Sequence, residues 1–442
     1  MELSLESVQQ LINEGYRICT DSRLASEKSL FFALKGESHN GNDFALEALN
    51  NGCKYAIIDE KISKEDKRLI KVDNVLSFLH KIAKNHRKQF NIPVFTITGS
   101  NGKTTTKELI SKVLSEKYNV LSTKGNLNNH IGAPLTILQL NPKHQCAVIE
   151  IGANQPGEIK MLSDIICPTH GIITNIGKAH LEGFNDIETI IENKAALYES
   201  LINNDGVIFQ RGENRILKDL TGNYLNVITY GDHPSDMVEG NIRSHTPYLT
   251  IDYKNNCNIG KCKIKSKSTI STQITGSFNF ENILAAITTG LYFGIHPDNI
   301  NNAISSYVPE NSRSQVIKTE NNLILLDAYN ANPTSMLASL ESFLSFGHEP
   351  KTIILGDMLE MGKYAESEHE KIIKWINGNK FNKVILIGDV FYSFRNKFDK
   401  YTYFKNVHDA SSWITNNPVS GNTILIKGSR GIKLEVILDY LS

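Results

Sequence analysis

Apolar and polar positions fall into three textures along the chain. Up to about residue 85, short apolar runs (Leu30 to Leu34, Tyr55 to Ile58) alternate with a helical pattern near Phe44 to Leu49, the rhythm of a small α/β unit. A helix is predicted from Val75 to Lys88, and Pro93 just beyond it marks a boundary. From Val94 the run Val94-Phe95-Thr96-Ile97-Thr98 predicts a strand, followed by a glycine turn. Leu109, Ile110, Val113 and Leu114 then recur at the three–four spacing of one buried helix face. Further apolar strands, Ala147 to Ile151 and Gly171 to Ile176, continue a βαβ rhythm and predict a mostly parallel sheet. Tyr248 to Tyr253 and Cys262 to Ile270 instead alternate apolar and polar residues around Asn255-Asn256-Cys257-Asn258, which predicts an antiparallel insertion.

After about residue 312 come four short apolar strands, Leu323 to Leu326, Thr352 to Leu355, Val384 to Ile387 and Thr423 to Ile426. Each runs at once into a polar or glycine residue, namely Asp327, Gly356-Asp357, Gly388-Asp389 and Lys427-Gly428. Ligands of doubly wound sheets sit at the carboxyl ends of strands, so these polar ends are expected to share one rim. The fold class is therefore α/β in three domains. Residues 1–88 form a small N-terminal domain. Residues 89–311 form a central phosphate-loop domain with the antiparallel insertion, and residues 312–442 a Rossmann-like doubly wound domain.

Composition narrows the function classes. A chain of 442 residues is too long for one core at about 150 residues per domain. Lys+Arg and Asp+Glu both number 47, so no global basic field draws the protein to nucleic acid or to anionic lipid. No apolar run reaches about 18 residues, and the opening MELSLESVQQ has neither a basic nor an apolar leader segment. A cytoplasmic protein, off the membrane, is expected. The six cysteines form no C-x-x-C pair, which argues against a disulfide framework or a zinc site. No repeat of 20 to 50 residues is present.

Gly99-Ser100-Asn101-Gly102-Lys103-Thr104-Thr105 lies between a predicted strand and a predicted helix, the context that makes a phosphate loop. Glycines let backbone N–H groups face phosphate oxygens, the helix start favours anions, and Lys103 adds a charge while Thr104 can ligate magnesium. The longer form of the motif would need glycine at Ile97, so the loop is a shortened one. The strand from Cys146 ends in Glu150, either a solvated carboxylate or the acid that holds the metal. Asn193-Lys194 is followed by Ala195-Ala196, which cannot read guanine.

Lys194 falls on the apolar stripe of Ile190, Ile191 and Leu197. It either snorkels its head to water or stays buried as a neutral amine able to add CO₂. His180, one turn past a strand, is a solvated loop residue or a metal ligand. Asn279 and Asn282 share a helix face, as a nucleotide-base contact or as caps. Lys427-Gly428-Ser429-Arg430 follows a strand and is expected to open a helix, an anion site or an ordinary cap.

Read with these are Lys124 to Thr136 (KGNLNNHIGAPLT), Glu150-Ile151-Gly152-Ala153-Asn154, Gly177 to Phe184, Asn279 to Asn282, Asp327-Ala328-Tyr329-Asn330-Ala331-Asn332-Pro333, and Leu355 to Met358. Together the set resembles the Mur ligases of peptidoglycan synthesis over nearly the whole chain. The paired asparagines after Lys124 and the Tyr-Asn-Ala-Asn-Pro element resemble the branch that adds D-alanyl-D-alanine. The resemblance implies that ATP phosphorylates the terminal carboxylate of UDP-N-acetylmuramoyl-tripeptide and that the dipeptide amine attacks the acyl phosphate. It implies catalytic roles for Lys103, Glu150, His180 and Lys194, and Mg²⁺ on Thr104, Glu150, His180 and a carbamate made on Lys194 from CO₂. ATP would be held by residues 99–105 with Asn279, Asn282, Arg313, Asp327 and Asn330, and the substrates by Ser22, Arg23, Lys35, Asn126, Asn129, Lys427 and Arg430. A monomer is expected, with no nucleic-acid partner. Two positions depart from the family pattern. Leu326 stands where an Asp is common and Phe278 where a His is common. The rival expectations are a ligase that adds a single amino acid or glutamate to folate, and a nucleotide switch without enzymatic activity.

Overall fold

Strands that are apolar at consecutive positions need cover on both faces, and each of three successive sheets is built around such strands. The protein is described by a computed structural model over residues 4–36, 39–256, 260–261 and 266–441. The first sheet has four parallel strands in the order β1 (Arg17–Cys19), β2 (Ser29–Phe32), β3 (Tyr55–Ile58) and β4 (Leu69–Lys71).

The second sheet contains β5 (Val94–Thr98), β6 (Val120–Ser122), β7 (Cys146–Glu150), β8 (His170–Ile173), β9 (Val207–Arg211), β10 (Val227–Gly231), β11 (Val238–Ser244), β12 (Thr250–Asn255) and β13 (Lys267–Ser271). Their spatial order is β13-β12-β11-β10-β9-β8-β5-β7-β6, parallel up to β11 and antiparallel over β11–β12–β13. The expected turn at 255–258, with Cys257 and Cys262, extends outside the described residues. Cys19, Cys53, Cys146 and Cys167 are free thiols.

The third sheet orders β14 (Gln315–Lys318), β15 (Leu323–Asp327), β19 (Thr423–Lys427), β16 (Lys351–Gly356), β17 (Lys383–Ile387) and β18 (Thr402–Phe404). Only β14 is antiparallel, and Asp327 pairs in register with Lys427 at the carboxyl rim. The helix expected after Lys427 takes 3₁₀ form, in two segments, Arg430–Ile432 and Leu434–Tyr440. Ser429 leads into the first of them.

The Val75–Lys88 helix is capped by Asn74, whose Oδ1 accepts from the Ser77 N–H at 2.8 Å. Its basic last turn reaches into the second domain. Arg87 donates to the Ile166 and Cys167 carbonyls at 2.9 and 3.2 Å, and His86 bridges Gln9 and the Leu140 carbonyl at 2.8 and 2.9 Å. These bonds join the first two sheets through one helix.

Strand β5 is flanked by β7 on one side and β8 on the other, so the chain reverses its winding direction at its carboxyl end. The Lys103–Ser115 helix leaves that point and packs on the Phe280–Tyr292 helix. A side chain at Gly290 would meet Val113 at 2.6 Å, so glycine permits the close crossing. Strand β8 stops at Ile173, short of the expected Ile176, because Thr174 and Asn175 turn away to hold the glycine loop. Among the described residues no helix is long and apolar enough to cross a membrane.

His170 opens β8 within ring contact of Phe95, Phe209, Tyr292 and Phe293. Burial pushes its imidazole down from 6.5 to about 4. Between those two values the unfolded chain holds a proton that the folded chain does not, so stability falls as pH drops from 6.5 toward 4. His170→Phe is expected to reduce that loss, read as urea midpoints across the window. An identical pH dependence in both proteins would contradict it.

Candidate active site

Residues 99–102 form a loop, leading into the Lys103–Ser115 helix, that cannot carry side chains at its two tightest points. Gly99 has φ +148°, and a Cβ there would sit 1.9 Å from Thr174 Oγ1; Gly102 has φ +78°, with Asn282 Oδ1 2.5 Å from the equivalent position. The loop is tied from beneath. The Ser100 N–H donates to the Asn175 carbonyl at 2.9 Å and the Asn101 N–H to Asn175 Oδ1 at 3.0 Å, while Thr174 Oγ1 donates to the Asn101 carbonyl at 2.6 Å. Ser100 Oγ donates to the Gly177 carbonyl at 2.9 Å.

Gly102 caps the Lys103–Ser115 helix without a side-chain acceptor, and no acidic residue occupies the first turn. The amides of Lys103, Thr104 and Thr105 have no acceptor in the protein among the described residues. They face a cleft of about 600 Å³ with the helix dipole behind them. Lys103 Nζ folds back to the Gly99 and Ser100 carbonyls at 2.7 and 3.2 Å. Burial pushes its pKa down, Glu150 opposes the shift and Arg313 adds to it.

Glu150 ends β7 and is 1% exposed. Its Oε1 accepts from Thr104 Oγ1 at 3.2 Å and from Asn128 Nδ2 at 2.7 Å, while buried Oε2 has no partner. An unsatisfied, buried carboxylate oxygen beside a threonine hydroxyl suits a hard cation. No cluster of three His, Cys, Asp or Glu residues that could hold a metal occurs among the described residues. Phosphate and water oxygens would have to complete a magnesium shell there, which is the ion's usual habit.

The other expected ligands lie differently. The His180 ring is hydrogen-bonded to the Glu360 carboxylate of the third domain, on the cleft wall. Lys194 is 3% exposed in the Ile187–Ile202 helix, behind the cleft lining and not on it. Burial and the nearby Lys103 charge push its pKa well down, and no carboxylate lies within ion-pair reach among the described residues.

Asn279 and Asn282, expected as a nucleotide-base contact or as caps, bond each other, and Asn279 makes no side-chain cap. Asn282 Nδ2 donates to Asn279 Oδ1 at 2.8 Å, Asn282 Oδ1 accepts from Thr106 at 3.0 Å, and Asn279 Nδ2 donates to the Thr275 carbonyl at 2.8 Å. Both line the cleft, Asn282 bracing Gly102. Lys427 departs similarly from an open anion site. Its ammonium is buried and pairs with Asp327 Oδ2 at 2.6 Å, and Asp327 also accepts from the Ser314 N–H and Ser339 Oγ. Asn330 turns its Oδ1 onto the Ala331 N–H.

Arg313 overhangs the cleft from a strained segment in which Asn311, Ser312 and Ser314 all have positive φ. Its guanidinium stacks 3.6 Å above the Tyr329 ring and its buried Nε has no partner. The Arg430 guanidinium lies 5.2 Å from the Tyr329 ring centroid, in a neighbouring hollow of about 260 Å³ that is also lined by Arg313 and Asn126. Asn126 and Asn129 line the main cleft, and Asn129 Oδ1 caps the Gly132–Ile137 helix through the Gly132 N–H at 2.8 Å.

Ser22, Arg23 and Lys35 stand apart, beyond the carboxyl ends of β1 and β2. Ser22 Oγ donates to Glu47 at 3.1 Å, Arg23 pairs with Asp21 at 2.6 Å, and Lys35 pairs with Asp59 and Glu60 at 3.1 and 2.9 Å. A larger hollow of about 1060 Å³ opens at the amino ends of β16 to β18, away from the loop.

Three residues had no site role assigned from the sequence, although Asn128 and Asn332 stand in motifs quoted above. Asn128 holds Glu150, Asn175 holds the loop, and Asn332 caps the Pro333–Leu344 helix while its Nδ2 donates to Asn101 Oδ1 at 2.8 Å across the domain junction. For Asn332 the Asn-Pro pair ahead of a helix was a usable signal. Nothing local marks the other two.

Family models match all three parts of the chain. The Mur ligase family catalytic domain matches residues 15–87, the Mur ligase middle domain 97–290 and the Mur ligase glutamate ligase domain 312–430. A Bacillus subtilis (strain 168) protein named UDP-N-acetylmuramoyl-tripeptide–D-alanyl-D-alanine ligase is 34% identical, covering 96% of this chain and 92% of its own. A crystal structure of MurF from Acinetobacter baumannii superposes with a TM-score of 0.86 at 28% identity, covering 98% of this chain and 97% of that one. The Thermotoga maritima MurF ligase in complex with ADP gives 0.84 at 25% identity, covering 97% of each chain.

Asn128→Ala is expected to lower kcat by about 10- to 100-fold with little change in ATP affinity, since it frees the acid and leaves the loop intact. Steady-state rates and calorimetric titration with ATP check this. An unchanged kcat would contradict it.

Proposed function

The chain belongs to the Mur ligase family, and on that premise we propose that its cleft joins D-alanyl-D-alanine to UDP-N-acetylmuramoyl-tripeptide at the expense of ATP. The observation that carries this reading is the convergence on one cleft of the loop's free amides, Lys103 and Arg313 beside the unsatisfied oxygen of Glu150. Cations and amides in that arrangement suit the phosphates of a nucleotide, and the acid suits their metal.

A carboxylate is a poor electrophile, which is the reason for spending a nucleotide on it. Transfer of the γ-phosphoryl group turns the tripeptide carboxylate into an acyl phosphate. The dipeptide amine adds to the acyl carbon, and the tetrahedral intermediate collapses to the amide with loss of phosphate. Lys103 and the first-turn amides neutralise charge on the transferring group, and Arg313 meets it from the third domain. Thr104 and Glu150 would hold magnesium, which when bound spreads the phosphate charge. Closure of the third domain over the loop through Asn332–Asn101, Lys178–Glu368 at 3.0 Å and His180–Glu360 keeps water from the acyl phosphate.

Burial supports a neutral Lys194, the form that takes up CO₂ as a carbamate. The tripeptide nucleotide is assigned to the first domain at Ser22, Arg23 and Lys35, and the dipeptide carboxylate to Arg430 beside Asn126 and Asn129. One chain carries all of these groups, so it acts as a monomer, in the cytoplasm where ATP is supplied.

Purified protein is expected to release phosphate from ATP only with both the tripeptide nucleotide and D-alanyl-D-alanine present. Release with a single amino acid in place of the dipeptide would contradict the assignment. Lys194→Ala is expected to bind ATP and lose turnover, and the wild-type rate to rise with added bicarbonate. An active Lys194→Ala variant, or a rate indifferent to bicarbonate, would count against the carbamate.

A further inference from the structure

The chain enters its third domain through the strained segment that carries Arg313. Two residues at the carboxyl end of β15 grip that segment. The Tyr329 N–H donates to the Ser312 carbonyl at 3.2 Å, and Asp327 Oδ1 accepts from the Ser314 N–H at 3.2 Å. The backbone is thus held on both sides of Arg313, and its side chain extends over the Tyr329 ring.

Tyr329 presents an apolar face and a polar tip, and two cations use one each. Arg313 stacks on the face, with its guanidinium carbon 3.6 Å from the ring centre. Arg430 reaches the tip instead, where Nη1 donates to Tyr329 Oη at 3.4 Å. The arginines in ion pairs among the described residues are Arg23, Arg68, Arg211 and Arg243, so neither Arg313 nor Arg430 is neutralised by a carboxylate. Of the acids lining the neighbouring hollow, Glu108 accepts from the Tyr307 hydroxyl at 2.6 Å and Glu435 is exposed.

The ring also stands between two spaces. Thr104, Asn126, Arg313 and Tyr329 line both the main cleft and the neighbouring hollow, whereas Arg430 lines the hollow alone. Resting on the reading that Arg313 meets the transferring phosphoryl group and Arg430 the dipeptide carboxylate, we propose that Tyr329 is a positioning residue that sets these two cations relative to each other. It orients Arg313 through the ring face and Arg430 through the hydroxyl. An aromatic face holds a guanidinium without occupying its N–H groups, and a phenol oxygen takes only one of them. A carboxylate in the same place would pair with the fork that the substrate needs.

The two handles can be removed separately in the full chain, assayed with ATP, the tripeptide nucleotide and D-alanyl-D-alanine. Tyr329→Phe keeps the face and loses the acceptor. It is expected to raise KM for the dipeptide by about three- to tenfold while KM for ATP moves by less than about twofold. Tyr329→Leu loses both handles and is expected also to lower kcat by about tenfold, because Arg313 is no longer held over the cleft. In an Arg313→Met background the same Leu substitution is expected to lower kcat far less, since the group it positions is already gone. Melting curves establish that each variant is folded. If Tyr329→Leu fails to fold, the KM split in Tyr329→Phe still decides the question, because a tyrosine that only supports the fold would move both KM values together. A dipeptide KM unchanged in folded Tyr329→Phe, or full additivity of Tyr329→Leu with Arg313→Met, overturns the proposal while leaving the ligase reading intact. A wild type that turns over no ATP with both substrates present overturns the ligase reading itself.

Discussion

The absence of a side chain at Gly99 is the constraint on which the active cleft depends. Thr174 occupies the space that any Cβ would need, and that contact lets Thr174 and Asn175 bind the loop from below. Their bonds consume the Ser100 and Asn101 amides and leave those of Lys103, Thr104 and Thr105 without a protein acceptor among the described residues. Three other parts of the molecule take their position from this loop. The Lys103–Ser115 helix starts on it, Asn282 of the Phe280–Tyr292 helix presses on Gly102, and Asn332 of the third domain bonds Asn101.

Electrostatics gives that arrangement a direction. Lys103 is buried among backbone carbonyls, Arg313 contributes like charge nearby, and Glu150 is the opposing acid. Without a polyanion, like charges in a low-dielectric space oppose closure of the third domain. Triphosphate bound at the loop reverses the sign of that interaction. On the proposed ligase reading, nucleotide binding would thereby be coupled to domain closure through Lys103 and Arg313, and the positive-φ residues flanking Arg313 are the structural cost of holding it there.

Much of this was legible in the chain because its signals are local. The five buried residues of β5, the glycines after them and Lys103-Thr104 lie within a dozen positions, and their roles follow from backbone geometry. The parallel rhythm and the antiparallel pair β12–β13 were readable from apolar periodicity, whereas β11 as a third strand of that insertion was not. Roles set by distant partners were not readable in the same way. Spacing alone put Asn279 and Asn282 on one face, but it could not say that Thr106 and Thr275 would occupy their amides. Asp327 and Lys427 lie a hundred residues apart, and only the β15–β19 register makes them a buried ion pair. Asn128 and Asn175 look like ordinary turn residues until the sheet brings Glu150 and the loop to them.

The central claim is that the cleft makes an acyl phosphate from the tripeptide carboxylate and the γ-phosphate of ATP. Tripeptide nucleotide labelled with heavy oxygen in its terminal carboxylate tests this directly, by mass spectrometry of the phosphate released during turnover with D-alanyl-D-alanine. Transfer of a labelled oxygen into phosphate is the predicted result. Labelled peptide product with unlabelled phosphate would contradict the account.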